Sequence, residues 1–193
     1  MTKALIVYGT RFGATASTSE EIAKILRQEG LGVRVVNAKE EKAKNIAEYD
    51  LVIVGSGILI NRWTGEPEDF LKKFQEDLAR KKVALFVCCG SASPAMNGGK
   101  PETAEKAKTK YLDEKAAKYG LQPVALGLFG GVYDFNRWPW WAGKAKPMAK
   151  QQLDAAGFKE TQPGIYDTRD WNTIRSWAKE LAQKVRSSAD FQK

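Results

Sequence analysis

The chain has no histidine among its 193 residues, and only two cysteines. Histidine is the commonest general base near neutral pH and the commonest metal ligand, so its absence argues against most hydrolase and zinc chemistry, and no metal site is expected. The cysteines, Cys88 and Cys89, are neighbours in the chain. A structural staple between adjacent residues gains little, and buried thiols in a reducing compartment fit better. No apolar run approaches the length of a transmembrane helix, and the N-terminus lacks the charged and apolar regions of a signal peptide. Cytoplasmic residence is the resulting expectation. The composition is 43% hydrophobic and 28% charged, ordinary for a globular protein, and the length suits one domain over 1–193. The formal charge of +8 favours acidic partners or anionic surfaces. The Lys-rich segments also carry Glu and Asp, however, and no nucleic-acid motif accompanies them, so no nucleic acid is expected as a partner.

What is present begins at the N-terminus. Ala4-Leu5-Ile6-Val7-Tyr8 reads as a buried strand that runs into Gly9-Thr10-Arg11-Phe12-Gly13-Ala14-Thr15-Ala16-Ser17, a loop of small and hydroxylated residues. Ser17 and Glu20 have the spacing of a capping box, and Ile22, Ala23, Ile25 and Leu26 form the apolar stripe of the helix it would open. A strand, a hydroxyl-rich glycine loop and a helix N-terminus together can hold a phosphate through backbone N–H groups, the helix dipole and neutral hydroxyls. A merely capped helix uses the same residues. A dinucleotide fingerprint needs three glycines at fixed spacing and only Gly9 and Gly13 appear, and the Gly-Lys-Ser/Thr ending of a Walker loop is missing.

Beyond this unit, strands and helices alternate. Strands are expected at Gly32–Val36, Asp50–Ser56, Lys82–Cys88 and Pro123–Gly130, with Asp50–Ser56 the most apolar and so central. Helices are expected around Ala43–Ala47, from Pro67, from Pro101 to about Tyr119, and from about Asp170 to Val185. Five strands alternating with helices specify an α/β three-layer sandwich, a parallel sheet of order 2-1-3-4-5 with helices on both faces. Ligands on such a sheet sit beyond the carboxyl ends of the strands at the switch point. The loops arriving there are Gly9 to Ser17, Gly55 to Gly65 and Cys88 to Gly99.

The middle loop offers Gly55-Ser56-Gly57-Ile58-Leu59-Ile60-Asn61-Arg62-Trp63. Its glycines allow close backbone approach to a planar ring, while Ile58, Leu59 or Trp63 could cover a face; Trp63 equally suits a pin for the next helix. Cys89-Gly90-Ser91-Ala92 can offer main-chain groups to a polar ring edge. An insertion at about 133–162 precedes the last helix and is too long for a plain connection. It holds Tyr133-Asp134-Phe135-Asn136-Arg137-Trp138-Pro139-Trp140-Trp141 and then a Lys-rich, helical stretch from Ala142 to Ala156. Trp140 and Trp141 with Lys144, Lys146 and Lys150 suit a peripheral contact with the inner membrane face, and also a lid or a local core.

These features resemble the flavodoxin superfamily over essentially the whole chain. They are most similar to the branch of the menaquinone-dependent protoporphyrinogen oxidases. The resemblance rests on the Thr10–Thr15 loop, the Gly55-Ser56-Gly57-Ile58 turn, the aromatic and basic insertion, and the closing Tyr166-Asp167-Thr168-Arg169-Asp170-Trp171. It implies a flavodoxin-like fold and noncovalent FMN held by Thr10, Arg11, Phe12, Gly13, Ala14 and Thr15, by Ser56, Gly57, Ile58 and Leu59, and by Cys89, Gly90 and Ser91. It also implies an oxidoreductase with a quinone or a redox protein as electron partner. The alternative is a non-enzymatic flavodoxin-type electron carrier. No catalytic acid or base is singled out, because the flavin carries the redox chemistry. Phe12 and Ala14 depart from the family's pattern of polar side chains in the phosphate loop, and the Trp-rich insertion is unlike a continuous amphipathic helix.

Overall fold

The computed structural model describes residues 2–92, 100–138 and 140–190. Five strands form the predicted parallel sheet: β1 (Lys3–Gly9), β2 (Gly32–Asn37), β3 (Leu51–Leu59), and, past the short β4 (Arg62–Trp63), β5 (Lys82–Cys88) and β6 (Ala125–Phe129). Their order is β2-β1-β3-β5-β6, with β4 paired antiparallel to β3. Counting only the parallel strands, this is the expected 2-1-3-4-5 arrangement.

The period of two along each strand sorts side chains onto two apolar layers. Leu5, Val7, Val52, Val54, Leu85 and Val87 face one way, together with Phe70, Leu71 and Leu112. Ala4, Ile6, Leu51, Ile53, Phe86 and Cys88 face the other, together with Ile22, Leu26, Ile174 and Leu181. The first layer lies under α2 (Gly65–Lys73), α3 (Gln75–Leu78) and the long helix that starts as α4 (Pro101–Lys108); the second lies under α1 (Ala14–Gln28) and α7 (Trp171–Asp190). Gly55 in β3 makes room within the second layer, because a Cβ there would lie 2.2 Å from the Phe86 ring. Trp177 packs edge-on to Phe86 and Phe129, which are tilted to one another, with ring centroids 5.6–6.3 Å apart.

Several expectations change. The first helix begins at Ala14 rather than Ser17, and Gly13 is its N-cap with φ +88°. The Thr10 hydroxyl accepts the Gly13 N–H at 3.0 Å, while Ser17 Oγ turns back to the carbonyls of Gly13 and Ala14. A glycine able to adopt the left-handed conformation lets the helix start nearly one turn early, and the capping-box spacing of Ser17 and Glu20 then falls inside it. Residues 41–46 form no helix. This charged segment carries no apolar stripe, and it buries Ile46 and Tyr49 from an irregular path. The helix from Pro101 does run on, but a π-helical turn (Thr109–Asp113) joins α4 to α5 (Glu114–Lys118).

The insertion holds more order than its sequence suggests. β7 (Val132–Asp134), β8 (Glu160–Gln162) and β9 (Ile165–Asp167) form a separate antiparallel sheet of order β7-β9-β8. A 3-10 turn (Trp140–Ala145) and α6 (Lys146–Ala155) lie between its strands. Phe135, Ala149, Leu153 and Tyr166 make a third apolar cluster there. Three-residue strands, one of them wholly exposed, carry no alternation for a sequence pattern to reveal. Pro139 and the Trp141 side chain, part of the expected Trp cluster, lie outside the described residues, as do residues 93–99 of the third expected loop. Among the described residues no helix is long and apolar enough to cross a membrane.

Candidate functional site

At the carboxyl end of the sheet, the ends of β1, β3 and β5 and the start of β7 enclose a cavity of about 490 Å³, within the range of small-molecule sites. One wall is the β1–α1 turn: Thr10, Arg11, Phe12, Ala14 and Thr15. The helix starts there, so its first amides have no partner within the helix and its positive dipole end faces the turn. Arg11 is the charged residue of this wall and lies 4.0 Å from Glu66. Gly9, next to the wall, serves packing, since a Cβ there would lie 2.3 Å from Thr64 Oγ1.

The second wall is Gly57, Ile58, Leu59 and Ile60. The expected Gly55–Gly65 loop is a hairpin, in which β3 continues to Leu59 and pairs with β4 through Ile60 and Asn61. Both turn residues have positive φ, +49° at Ile60 and +59° at Asn61. Asn tolerates this conformation, but a β-branched Ile there is strained. A Cβ on Gly57 would lie 3.2 Å from Thr15 Oγ1, so this glycine lets the hairpin base approach the helix start. Trp63 does not face the cavity. It is buried, and its indole N–H donates to the Tyr111 carbonyl of the π turn at 2.8 Å. It lines no wall of the cavity, and it pins the later π turn rather than the helix that follows it. Ser56 also lies behind the wall, where its hydroxyl accepts the Thr64 N–H at 3.0 Å and donates to the Gly57 carbonyl at 2.9 Å.

The floor is Cys88, Cys89 and Gly90. Burial pushes both thiols up to about 11, so they stay protonated at neutral pH and suit packing better than nucleophilic or ligating chemistry. Ser91 follows in the 3-10 turn Gly90–Ala92. The fourth wall comes from the insertion: Gly131, Val132, Tyr133 and Trp138. Tyr133 stacks on Phe135 with centroids 6.4 Å apart, and Phe135 packs against Trp138 at 4.8 Å. The Tyr133 hydroxyl is buried and has no hydrogen-bond partner among the described residues, and burial raises its pKa.

Ten of the sequence-expected residues thus line one cavity: Thr10, Arg11, Phe12, Ala14, Thr15, Gly57, Ile58, Leu59, Cys89 and Gly90. Gly13, Ser56 and Ser91 do not. Sequence reasoning did not single out Ile60, Cys88, Gly131, Val132, Tyr133 and Trp138 as wall residues. The clustered aromatics of the insertion were the available signal for the last two. Nor was Arg169 singled out. Its guanidinium pairs in two places with Asp167, Nε to Oδ1 at 2.8 Å and Nη2 to Oδ2 at 2.6 Å, while Nη1 donates to the Ala14 carbonyl at 2.9 Å and Ser17 Oγ at 2.6 Å. It ties the exit of the small sheet to the first turn of α1.

The sequence profile of the flavodoxin domain matches residues 5–149. The chain is 23% identical over 181 residues to a protein of Escherichia coli K12 named protoporphyrinogen IX dehydrogenase [quinone], covering 93% of this chain and 94% of that protein. Among solved structures, a flavodoxin from the domain Archaea superposes with TM-score 0.56 at 17% identity, over 96% of this chain and 99% of the other. The rubredoxin oxygen:oxidoreductase of Desulfovibrio gigas superposes with TM-score 0.58 at 17% identity, over 97% of this chain and 37% of that one. The structural likenesses bear on the fold.

Proposed function

The chain belongs to the flavodoxin-domain family, and on that premise we propose that it is an FMN-dependent oxidoreductase passing electrons between an organic substrate and a quinone. The family implies FMN as cofactor, and the cavity fits it in two respects. A helix start with hydroxyls at Thr10 and Thr15 faces one end, suited to a phosphate. The remaining walls are apolar and aromatic, suited to a planar ring, and one buried hydroxyl on them lacks a partner. When bound, FMN supplies the electron-transfer chemistry.

The protein's own residues bind and orient. The turn around Thr10, Arg11, Phe12, Gly13, Ala14 and Thr15 would take the phosphate, with Arg11 adding positive charge. Ile58 and Leu59 would cover one ring face and Tyr133 with Trp138 would border the other side. The backbone at Gly57, Cys89 and Gly90 would meet the ring's polar edge. Ser56 and Ser91 would act one step back, Ser56 by fixing the Gly57 carbonyl. In this proposal residues 1–193 form one flavodoxin-like domain, and its insertion shapes access to the cavity.

The observation that carries the enzymatic part is that insertion wall. It encloses the cavity with Val132, Tyr133 and Trp138 while the opposite rim exposes Leu59 and Ile60, which favours an apolar organic reactant. The similarity along nearly the full length of a quinone-linked dehydrogenase supports the same choice. The net charge of +8 supports a second reading, a non-enzymatic carrier that docks acidic redox proteins. Stopped-flow oxidation of the reduced, FMN-loaded protein separates them. Rapid two-electron reoxidation by a soluble menaquinone analogue, which leaves as the quinol, supports the enzyme; one-electron exchange only with an oxidised iron–sulfur protein supports the carrier.

Peripheral contact with anionic lipid belongs to the first proposal. Trp140 is 92% exposed and Met148 is exposed beside it in sequence, whereas Lys150 is tied to Glu160 at 2.6 Å, leaving Lys144 and Lys146 as the nearby basic partners. Co-sedimentation with anionic vesicles at low salt is expected, weakened in Trp140→Ala; absence of any retention would remove this part.

A further inference from the structure

We propose that Tyr133 is a ligand-recognition residue, its hydroxyl being the hydrogen-bond donor that the cavity keeps for the polar edge of the bound ring next to Gly90. This rests on the FMN reading above. A phenol oxygen that water cannot reach and that has no hydrogen-bond partner is destabilising, and among the described residues nothing bonds to the Tyr133 hydroxyl. A tyrosine free to turn would move it into solvent. This one is held through its strand and its ring partner. Its backbone lies in β7, where it pairs with Tyr166 of β9. Its ring stacks on Phe135. The start of its strand is fixed by Thr168, whose hydroxyl accepts the Gly131 N–H at 3.2 Å and whose N–H donates to the Gly131 carbonyl at 3.0 Å.

Gly90 supplies the second observation. A Cβ at that position would lie 2.1 Å from the Tyr133 hydroxyl. The hydroxyl therefore occupies the space that any other side chain at 90 would fill, against a residue of the cavity floor. Glycine is also the residue whose backbone reorients most readily, so a modest shift of the Gly90 turn opens the hydroxyl to a ligand. Phenylalanine would fill the same aromatic slot with no orphaned atom, which makes the hydroxyl the feature that needs a role. Burial keeps it protonated and hence a donor at neutral pH.

The test compares wild type with Tyr133→Phe, each stripped of flavin, by two measurements. FMN is titrated in with its fluorescence as the signal, and the thermal midpoint of each apoprotein is recorded. Wild type is expected to bind FMN. The variant is expected to bind about tenfold more weakly while its apoprotein midpoint rises by about 2–4 °C. Unchanged FMN affinity in the variant overturns the proposal, and so does a fall in both affinity and apoprotein midpoint, which marks plain packing. Failure of wild type itself to bind FMN is a different result, because it overturns the FMN reading and this inference with it.

Discussion

Arg169 connects two parts of the chain that are far apart in sequence, and it does so with a side chain only 6% exposed. Its planar fork satisfies Asp167, the Ala14 carbonyl and Ser17 together, and its guanidinium lies 4.3 Å from the Trp171 ring. Arg169→Ala leaves the Asp167 carboxylate without that partner, and breaking such a pair from one side costs about 3–5 kcal/mol. Urea unfolding should give a loss of that size. Arg169→Lys should recover less than half, because an ammonium cannot make the two-point contact. Glu68 gives a pH signature. Burial pushes its carboxyl up, but Lys118 and Lys115 outweigh this and hold it at about 2. A carboxyl lowered in the folded state stabilises above its unfolded value near 4.5 and loses that contribution as pH falls towards 2. Wild type should therefore lose thermal stability across this window more steeply than Glu68→Gln. Neither network was legible in the sequence. Partners such as Ser17 and Arg169 meet only through the tertiary fold.

At the scale of elements, legibility followed continuous apolar runs. The strands of the main sheet read clearly because Leu5, Val7, Val52 and Val54 on one face and Ala4, Ile6, Leu51 and Ile53 on the other are all buried, which leaves unbroken apolar stretches. The hairpin of β3 and β4 did not, because its turn residues, Ile60 and Asn61, are not the Asn-Gly or Gly-Gly pair that positive φ favours. Ile60 is 76% exposed, so burial does not explain why a strained β-branched residue stands on the rim of the cavity. Ile60→Asn should stabilise the apoprotein by about 1 kcal/mol, because the left-handed conformation costs that much for ordinary residues. If Ile60 meets an apolar reactant, the same change should raise KM for the quinone. Chemical denaturation and steady-state kinetics read the two effects separately. The helix start at Ala14 was hidden for a related reason. Gly13 reads in sequence as part of a flexible loop, whereas its left-handed geometry makes it the N-cap. The small sheet β7-β9-β8 was hidden by strands three residues long.

For the whole molecule, the sequence pointed to the end of the sheet where the cavity lies, because topology alone decides where strand ends converge. It located the insertion but not its inner face, which supplies Tyr133 and Trp138 to the cavity. The main sheet thus contributes a turn at a helix start and a glycine-lined backbone, while the segment from Tyr133 to Trp138 contributes an aromatic wall. Everything proposed for the chemistry depends on one ligand entering between them. The most direct measurement is a titration of the flavin-free protein with FMN, followed by flavin fluorescence and by the thermal midpoint. The account predicts saturation at one FMN per chain, with altered flavin fluorescence and a midpoint that climbs with FMN concentration, as selective binding to the folded state requires. Fluorescence identical to free FMN at equimolar protein, with an unmoved midpoint, would contradict it.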